Sequence, residues 1–221
     1  MTTVGAVPDP DLSRAAEYER LGIAPTRDDR ERLLEDLPWD EASRPHRDPS
    51  GPEVTYTDAG RATGQHLIDV HDMLRRELEE LRRILTQVRD GALSAGAARS
   101  ALNTMALRQN DWTLGAFCAR YCFAVASHHG LEDDAVFPHL IRSDPGLEPV
   151  IERLGDEHLV IHDAIEGVDV ALVHHIGNPE DFTGLQRALD LLTDALLSHL
   201  SYEEHELVEP LARLGFYPNQ V

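Results

Sequence analysis

The sequence has 221 residues, of which 42% are apolar and 27% charged, and its formal net charge is −20. A chain of this length is expected to form one or two domains with a sizeable apolar core. The acidic excess argues against nucleic acid or an anionic membrane surface as a partner, because both would repel the protein.

Several absences narrow the function further. The sequence contains no lysine, so all 20 basic residues are arginines, which excludes Schiff-base catalysis and a phosphate-binding P-loop. No run of residues has the apolar length of a transmembrane helix, and the first residues lack a signal-peptide pattern. The two cysteines, Cys118 and Cys122, cannot build a disulfide framework. We therefore expect a cytoplasmic protein.

Residues 1–56 contain seven of the 13 prolines of the chain. Because proline interrupts regular structure, we predict an extended arm with one short helix near residues 28–37. Leu33, Leu34 and Trp39 can dock this arm on the rest of the protein, where it would cover a site; the alternative is a loosely ordered tail. All candidate site residues come after residue 60, so the rest of the chain is expected to fold without the arm.

From residue 57 onwards, apolar residues recur at spacings of three and four, which is typical of amphipathic helices. Four such stretches cover residues 67–85, 94–132, 151–172 and 185–203, and Ser94 is a candidate N-cap of the second. Short links and the absence of a strand pattern predict an all-α, up-down four-helix bundle over residues 57–215.

The histidines need a physical explanation. The chain has 12 of them, and five lie on the apolar stripes of the predicted helices. Burying these imidazoles without partners would be costly. A shared metal centre removes the cost, because neutral imidazole is a common metal ligand. The five are His71, His128, His158, His162 and His199.

Their spacing supports such a centre. Residues four apart on a helix point in nearly the same direction. Three pairs have this spacing: His128–Glu132, His158–His162 and His199–Glu203. Side chains from four facing helices can converge on two ions about 3.5–4 Å apart. Imidazoles and carboxylates without thiolates suit iron, manganese or zinc.

Two rival metal motifs are disfavoured. A ferritin-like site needs Glu-x-x-His twice, and no histidine of this chain has a glutamate three residues before it. A zincin needs His-Glu-x-x-His, whereas Leu-Val-Ile separates His158 from His162.

The candidate ligands follow an ordered pattern along the chain: one histidine, then His-x-x-x-Glu, then His-x-x-x-His, and then a second His-x-x-x-Glu. This pattern resembles that of the hemerythrin-like HHE cation-binding domain family. The segments that carry the resemblance are VHDMLRREL, HHGLEDDAVFP, DEHLVIH and HLSYEEHELVEP. It extends over roughly residues 60–212. The resemblance implies two iron ions, as Fe2+ or Fe3+, which an oxo or hydroxo group can bridge. The implied ligands are His71 and His128 for one iron, and His158, His162 and His199 for the other.

The resemblance also implies two bridging carboxylates, Glu132 and Glu203. Hemerythrins proper place the second acid one residue later, so Glu204 is the alternative to Glu203. We prefer Glu203, because a spacing of four keeps it on the helix face of His199. The other histidines are expected to lie outside the site; His129, for example, is rotated about 100° from His128.

The resemblance implies a protein that binds or reacts with dioxygen, peroxide or nitric oxide. One alternative is a diiron oxidase or oxygenase for an organic substrate, with Tyr121 and Tyr202 as catalytic residues. Another is a non-enzymatic iron or oxygen sensor. A wide cavity with polar groups from the arm would favour the oxidase, and a narrow apolar pocket the oxygen-binding protein. A homodimer is one option for assembly; neither nucleic acid nor a membrane is an expected partner.

Overall fold

The computed structural model describes residues 10–90, 114–178 and 181–221. Within these ranges the chain is helical and has no strand. Helix α1 covers Pro10–Leu21, α2 Asp58–Arg89, α3 Leu114–Leu131, α4 Phe137–Ser143, α5 Glu148–Gly177 and α6 Thr183–Leu214. A π-helical turn, Glu132–Val136, joins α3 to α4.

Four of these helices form the bundle. Helix α6 packs against both α2 and α5, and α3 closes the bundle by packing against α5 and α2. The all-α helical bundle predicted from the apolar spacing is confirmed. The predicted helix start at Ser94 lies outside the described residues. None of the helices in the described ranges combines the length and apolar character that a bilayer-spanning segment needs.

The interior of the bundle contains two separate clusters of buried apolar side chains. One draws on residues 74–85 of α2, 161–172 of α5 and 185–200 of α6. The other draws on residues 67–68 of α2, 147–154 of α5 and 202–212 of α6. Between the clusters, the same helices carry buried histidines and glutamates. The core is therefore divided by a polar layer of buried histidines and glutamates.

Helix α1 and the irregular segment after it lie along α6. The short helix predicted near residues 28–37 is wrong: these residues are irregular, and the described helices of this region are Pro10–Leu21 and a 3-10 turn, Glu41–Ser43. The N–H groups of Leu33 and Leu34 donate instead to one carboxylate oxygen of Asp194, at 2.7 and 3.0 Å. This tertiary contact uses the backbone donors that a local helix would need. Trp39 packs against the first apolar cluster.

Two buried arginines of this N-terminal region contact Glu206 of α6. Both guanidinium ends of Arg14 donate to the Glu206 carboxylate at 2.9 Å. Arg47 donates to the Glu206 carbonyl at 2.8 Å. That carbonyl lacks its usual helical donor, because residue 210 is a proline and has no N–H. All these groups are buried, so the arm supplies partners to a buried carboxylate of the bundle. That the bundle folds without the arm stays a prediction.

We expect Arg14→Met to lower the free energy of unfolding by about 3–5 kcal/mol, because it leaves the Glu206 carboxylate buried without its main partner. Urea denaturation followed by circular dichroism measures the change. The control is Arg83→Met, which removes an exposed ion pair with Glu80 and should cost less than about 1 kcal/mol. Equal losses in the two variants would contradict the role assigned to Arg14.

Candidate metal centre

One group of side chains that can hold a cation consists of His71, His128, Glu132 and Glu203, whose ligand atoms all lie within 4.8 Å of one another. The Nε2 atoms of His71 and His128 are 3.0 Å apart. His128 Nε2 lies 3.3 Å from Glu132 Oε1, and His71 Nε2 lies 3.4 Å from Glu203 Oε2. Four elements each contribute one residue to this first group: helices α2, α3 and α6, and the π-helical turn.

A second group lies beside the first and consists of the buried residues His129, His158 and His199. The rings of His129 and His158 stack with their centres 4.0 Å apart. The His199 ring meets the His158 ring edge to face, with centres 4.8 Å apart. Three helices, α3, α5 and α6, thus bring one imidazole each to this second position.

The two glutamates connect the groups. Glu132 Oε2 lies 3.8 Å from Nε2 of His158, while its other oxygen faces His128. Glu203 Oε2 lies between His71 and His199, 3.4 and 3.6 Å from their Nε2 atoms. A carboxylate has two oxygens and can join two cations, so this geometry fits a pair of ions that share both glutamates.

Buried atoms without hydrogen-bond partners concentrate here. Within the described ranges, five such atoms belong to the two groups: Nε2 of His129, His158 and His199, and Oε2 of Glu132 and Glu203. Each unsatisfied buried polar atom costs about 1–3 kcal/mol. A cation bound by these lone pairs removes that cost, and a set of imidazoles and carboxylates without thiolate suits iron, manganese or zinc. The residues therefore fit a metal centre.

The protonation of His128 and His129 agrees with metal binding, whereas the carboxylates of Glu203 and Glu204 outweigh burial and raise the pKa of His71. Burial lowers the pKa of His128 to about 3, helped by the nearby His71. Burial and the neighbouring His158 and His199 likewise lower the pKa of His129. Both rings are therefore neutral at physiological pH, and the neutral ring is the form that binds a metal.

Three further carboxylates contact histidines of the two groups at Nδ1, the ring nitrogen that faces away from the centre. The Nδ1 atoms of His71, His158 and His199 lie 3.0, 2.8 and 3.1 Å from Glu204, Asp133 and Glu157, respectively. A carboxylate at Nδ1 fixes the proton there and leaves the Nε2 lone pair free for a metal. All three contacts therefore turn Nε2 towards the centre.

The N-terminal arm holds two of these carboxylates. The backbone N–H of Thr26 donates to Glu204 at 2.7 Å. Arg44 donates to both oxygens of Glu157 at 2.8 Å. Burial opposes ionisation of Glu157, but the hydrogen bonds from His199 and Arg44 outweigh it and lower its pKa to about 2. The arm thus contributes to the outer layer of the centre.

The structure brings most of the predicted site residues together. The six are His71, His128, Glu132, His158, His199 and Glu203. Glu204, the alternative to Glu203, instead contacts the Nδ1 side of the His71 ring and also pairs with Arg75 at 2.7 Å. It lies behind the histidine rather than between the two groups.

His162 does not join either group. Its side chain is 58% exposed, and its Nε2 lies 3.3 Å from Glu166 on the same helix. The expectation that His158 and His162 point to one spot is wrong, for a geometric reason. Leu154 and Leu172 mark the buried face of α5. Each step of four residues after Leu154 rotates by about 40°, so His158 lies at the edge of that face and His162 beyond it.

His129 is the residue that the sequence argument missed. Its rotation of about 100° from His128 was expected to carry it away from the site. Helix α3 instead faces the midline between the two groups, so His128 points to His71 and His129 to His158. The signal was the adjacent pair of histidines before Glu132: a helix that faces two ion positions can use neighbouring residues for both.

The two predicted catalytic tyrosines do not direct their hydroxyls at the centre. The Tyr121 hydroxyl donates to the carbonyl of Leu74 at 3.1 Å, inside the first apolar cluster. The Tyr202 hydroxyl donates to the carbonyl of Pro45 at 2.6 Å. Both hydroxyls therefore satisfy backbone carbonyls, and a role in chemistry at the centre finds no support in their positions.

A cavity of about 560 Å³ reaches the centre at His128 and Glu132. Its walls come from α2, the π-helical turn, α4 and the C-terminal residues after α6, and include Leu67, Val70 and Phe216. The arm contributes no residue to this lining. The cavity is thus wide, as expected for an oxidase, but its polar groups do not come from the arm.

Comparison with known proteins gives one match. The family model described as Hemerythrin HHE cation binding domain matches residues 63–211. No curated protein and no solved structure matches the chain.

We expect His129→Ala to lose a large part of the bound metal and His162→Ala to retain it, because only His129 lies in a ligand group. Elemental analysis of the purified proteins, after identical loading and desalting, measures the metal per chain. His199→Ala is the positive control and the exposed His174→Ala the negative one. Metal loss in His162→Ala, or full retention in His129→Ala, would reverse the assignment.

Proposed function

Because the chain belongs to the hemerythrin HHE cation-binding domain family, we propose that it is a non-haem diiron protein that binds or reacts with dioxygen, peroxide or nitric oxide. The observation that carries the proposal is the pair of histidine groups joined by Glu132 and Glu203. When bound, iron supplies one-electron redox chemistry and coordination positions for a small exogenous ligand.

The proposed ligands divide between two irons. His71 and His128 would hold a first iron, and His129, His158 and His199 would hold a second. Glu132 and Glu203 lie between the two histidine groups and would complete both positions. The group of His71 and His128 has fewer histidines than the other, and it faces the cavity through His128. An exogenous molecule arriving through the cavity therefore meets the side of the centre with fewer protein ligands.

The protein's own side chains set the charge and the orientation of the centre. Glu132 and Glu203 supply negative charge to offset that of two cations. Glu204 and Glu157 accept hydrogen bonds from the histidines and are themselves held by arginines, Arg75 and Arg44. Fixing each ring through its Nδ1–H keeps Nε2 directed at the metal and makes it a stronger ligand.

Water is restricted by the layers on either side. One apolar cluster lies on each side of the histidine layer along the helix axes. Bulk solvent is therefore excluded from these two directions. The His128 side chain is 13% exposed, whereas those of His71 and His199 are fully buried. The approach for a small molecule is therefore through the cavity beside His128.

The alternative of an oxidase or oxygenase acting on an organic substrate is favoured by one observation, the volume of that cavity. Its 560 Å³ is far more than dioxygen or peroxide requires. The tyrosines proposed for this activity do not support it, because both hydroxyls are engaged with backbone carbonyls.

The proposal is tested by anaerobic reconstitution with ferrous iron. We expect about two iron ions per chain, because two adjacent ligand groups share both glutamates. Elemental analysis measures the iron, and optical spectra before and after addition of dioxygen, peroxide or nitric oxide report its reactivity. One iron or none in fully reconstituted protein, or spectra unchanged by all three molecules, would count decisively against a reactive diiron centre.

Glu203→Ala should disturb the iron content and the optical spectrum more than Glu204→Ala. The first change removes an oxygen that lies between both groups, whereas the second removes an outer partner of one histidine. We expect Glu204→Ala to weaken iron binding by about 10–100-fold without removing the second iron. The reverse order of effects would identify Glu204 as the bridging residue.

A further inference from the structure

We propose that the cavity beside His128 and Glu132 binds an uncharged, mainly apolar organic molecule. The inference deepens the proposed function, on which it rests for the chemistry that the molecule meets at the inner end of the cavity. The binding itself depends only on the walls, which are built from this chain.

The cavity is far larger than a diatomic ligand requires. A molecule of water has a share of about 30 Å³ in the liquid, and dioxygen or peroxide is not much larger. Pockets that hold organic ligands typically measure about 300–1,000 Å³. The 560 Å³ beside His128 falls well inside that range, so the cavity offers room for an organic molecule in contact with the centre.

The outer wall of the cavity is held in place by defined contacts of the C-terminal residues. Gly215 has a φ of 79°, a left-handed conformation that lets the chain turn back after α6. The N–H of Phe216 donates to the Gln220 side chain at 2.6 Å, which closes this turn. The Phe216 ring meets His66 of α2 edge to face, with ring centres 5.8 Å apart. The C-terminal residues are thus held across the cavity rather than projecting away from it.

The walls of the cavity are mainly apolar. Leu67, Val70, Val136 and Phe216 supply apolar walls from separate elements. Apart from Glu132 and the histidines, the charged lining residues are Arg142 and Asp134, which are exposed and of opposite sign. They give no net preference for an anion or a cation, and burying either ion against these walls would be costly. A neutral molecule is therefore favoured.

The inner end of the cavity fixes how such a molecule would lie. His128 and Glu132 are the two members of the ligand groups that line the cavity. The apolar body then contacts α2 and the C-terminal wall, and a single polar atom, such as a hydroxyl, faces the centre. This places the organic ligand at the first iron of the proposed pair.

The test uses three probes with the same carbon body: 4-phenylbutan-1-ol, 4-phenylbutyrate and 4-phenylbutylamine. Isothermal titration calorimetry measures their binding to the full-length protein, both as purified and after metal chelation. In the chelated protein we expect the alcohol to bind about tenfold more tightly than either ion, because only the ions pay for burying charge. No binding of the alcohol up to its solubility limit, or tighter binding of an ion to the chelated protein, would overturn the proposal.

Two variants assign the binding to this cavity. Val70→Trp and Ala135→Trp each add bulk to its wall and should weaken alcohol binding by about tenfold or more. Ala135 is exposed, so its variant keeps the test valid if Val70→Trp does not fold. Val170→Trp makes the same replacement at an exposed position of α5 outside the cavity and should bind as the unmodified protein does. Unchanged binding in both cavity variants would place the probe elsewhere and overturn the proposal.

The two proposals fail separately. Alcohol binding to metal-free protein that cannot hold two irons would contradict the diiron function and leave the cavity assignment standing. A reconstituted diiron protein that binds no alcohol would overturn the cavity assignment alone.

Discussion

The structure depends on a layer of buried histidines and glutamates between two apolar clusters. Polar atoms in such a position need partners, because an unsatisfied buried donor or acceptor costs about as much as several apolar contacts contribute. Within the described residues, Nε2 of His158 and His199 and Oε2 of Glu203 have no hydrogen-bond partner. A cation pair that uses these lone pairs removes that cost, so bound metal is expected to raise the stability of the folded protein.

The same constraint explains the N-terminal arm. Helix α6 also carries buried glutamates outside the two ligand groups, and the arm supplies arginines and backbone N–H groups to them. Through Arg44 and Glu157, this pairing continues to His199. A segment that looks peripheral in the sequence is therefore part of a continuous network from the surface to the centre. The irregular residues after α1 lie along α6, where they contact several carboxylates in turn.

The helix that leads into the π-helical turn gives the centre its asymmetry. Neighbouring residues of α3, His128 and His129, serve different groups, and Glu132 follows at the start of the wide turn. On the His128 side the layer opens into the cavity, while the other group is enclosed by α5 and α6. One side of the centre is thus arranged to receive a molecule and the other to hold its metal.

The sequence by itself determined the bundle and most of the centre. Apolar spacing fixes which helix face is buried, and His199 with Glu203 follows from the rotation of four residues on one face. What the sequence did not determine is how each helix is turned relative to its neighbours. That rotation, set by packing, exposes His162, brings His129 inside and places Glu204 behind His71. Periodicity in the sequence gives the direction of a side chain around its helix axis to within about 40°. Within that margin, tertiary contacts alone decide whether the side chain reaches a metal-ligand position.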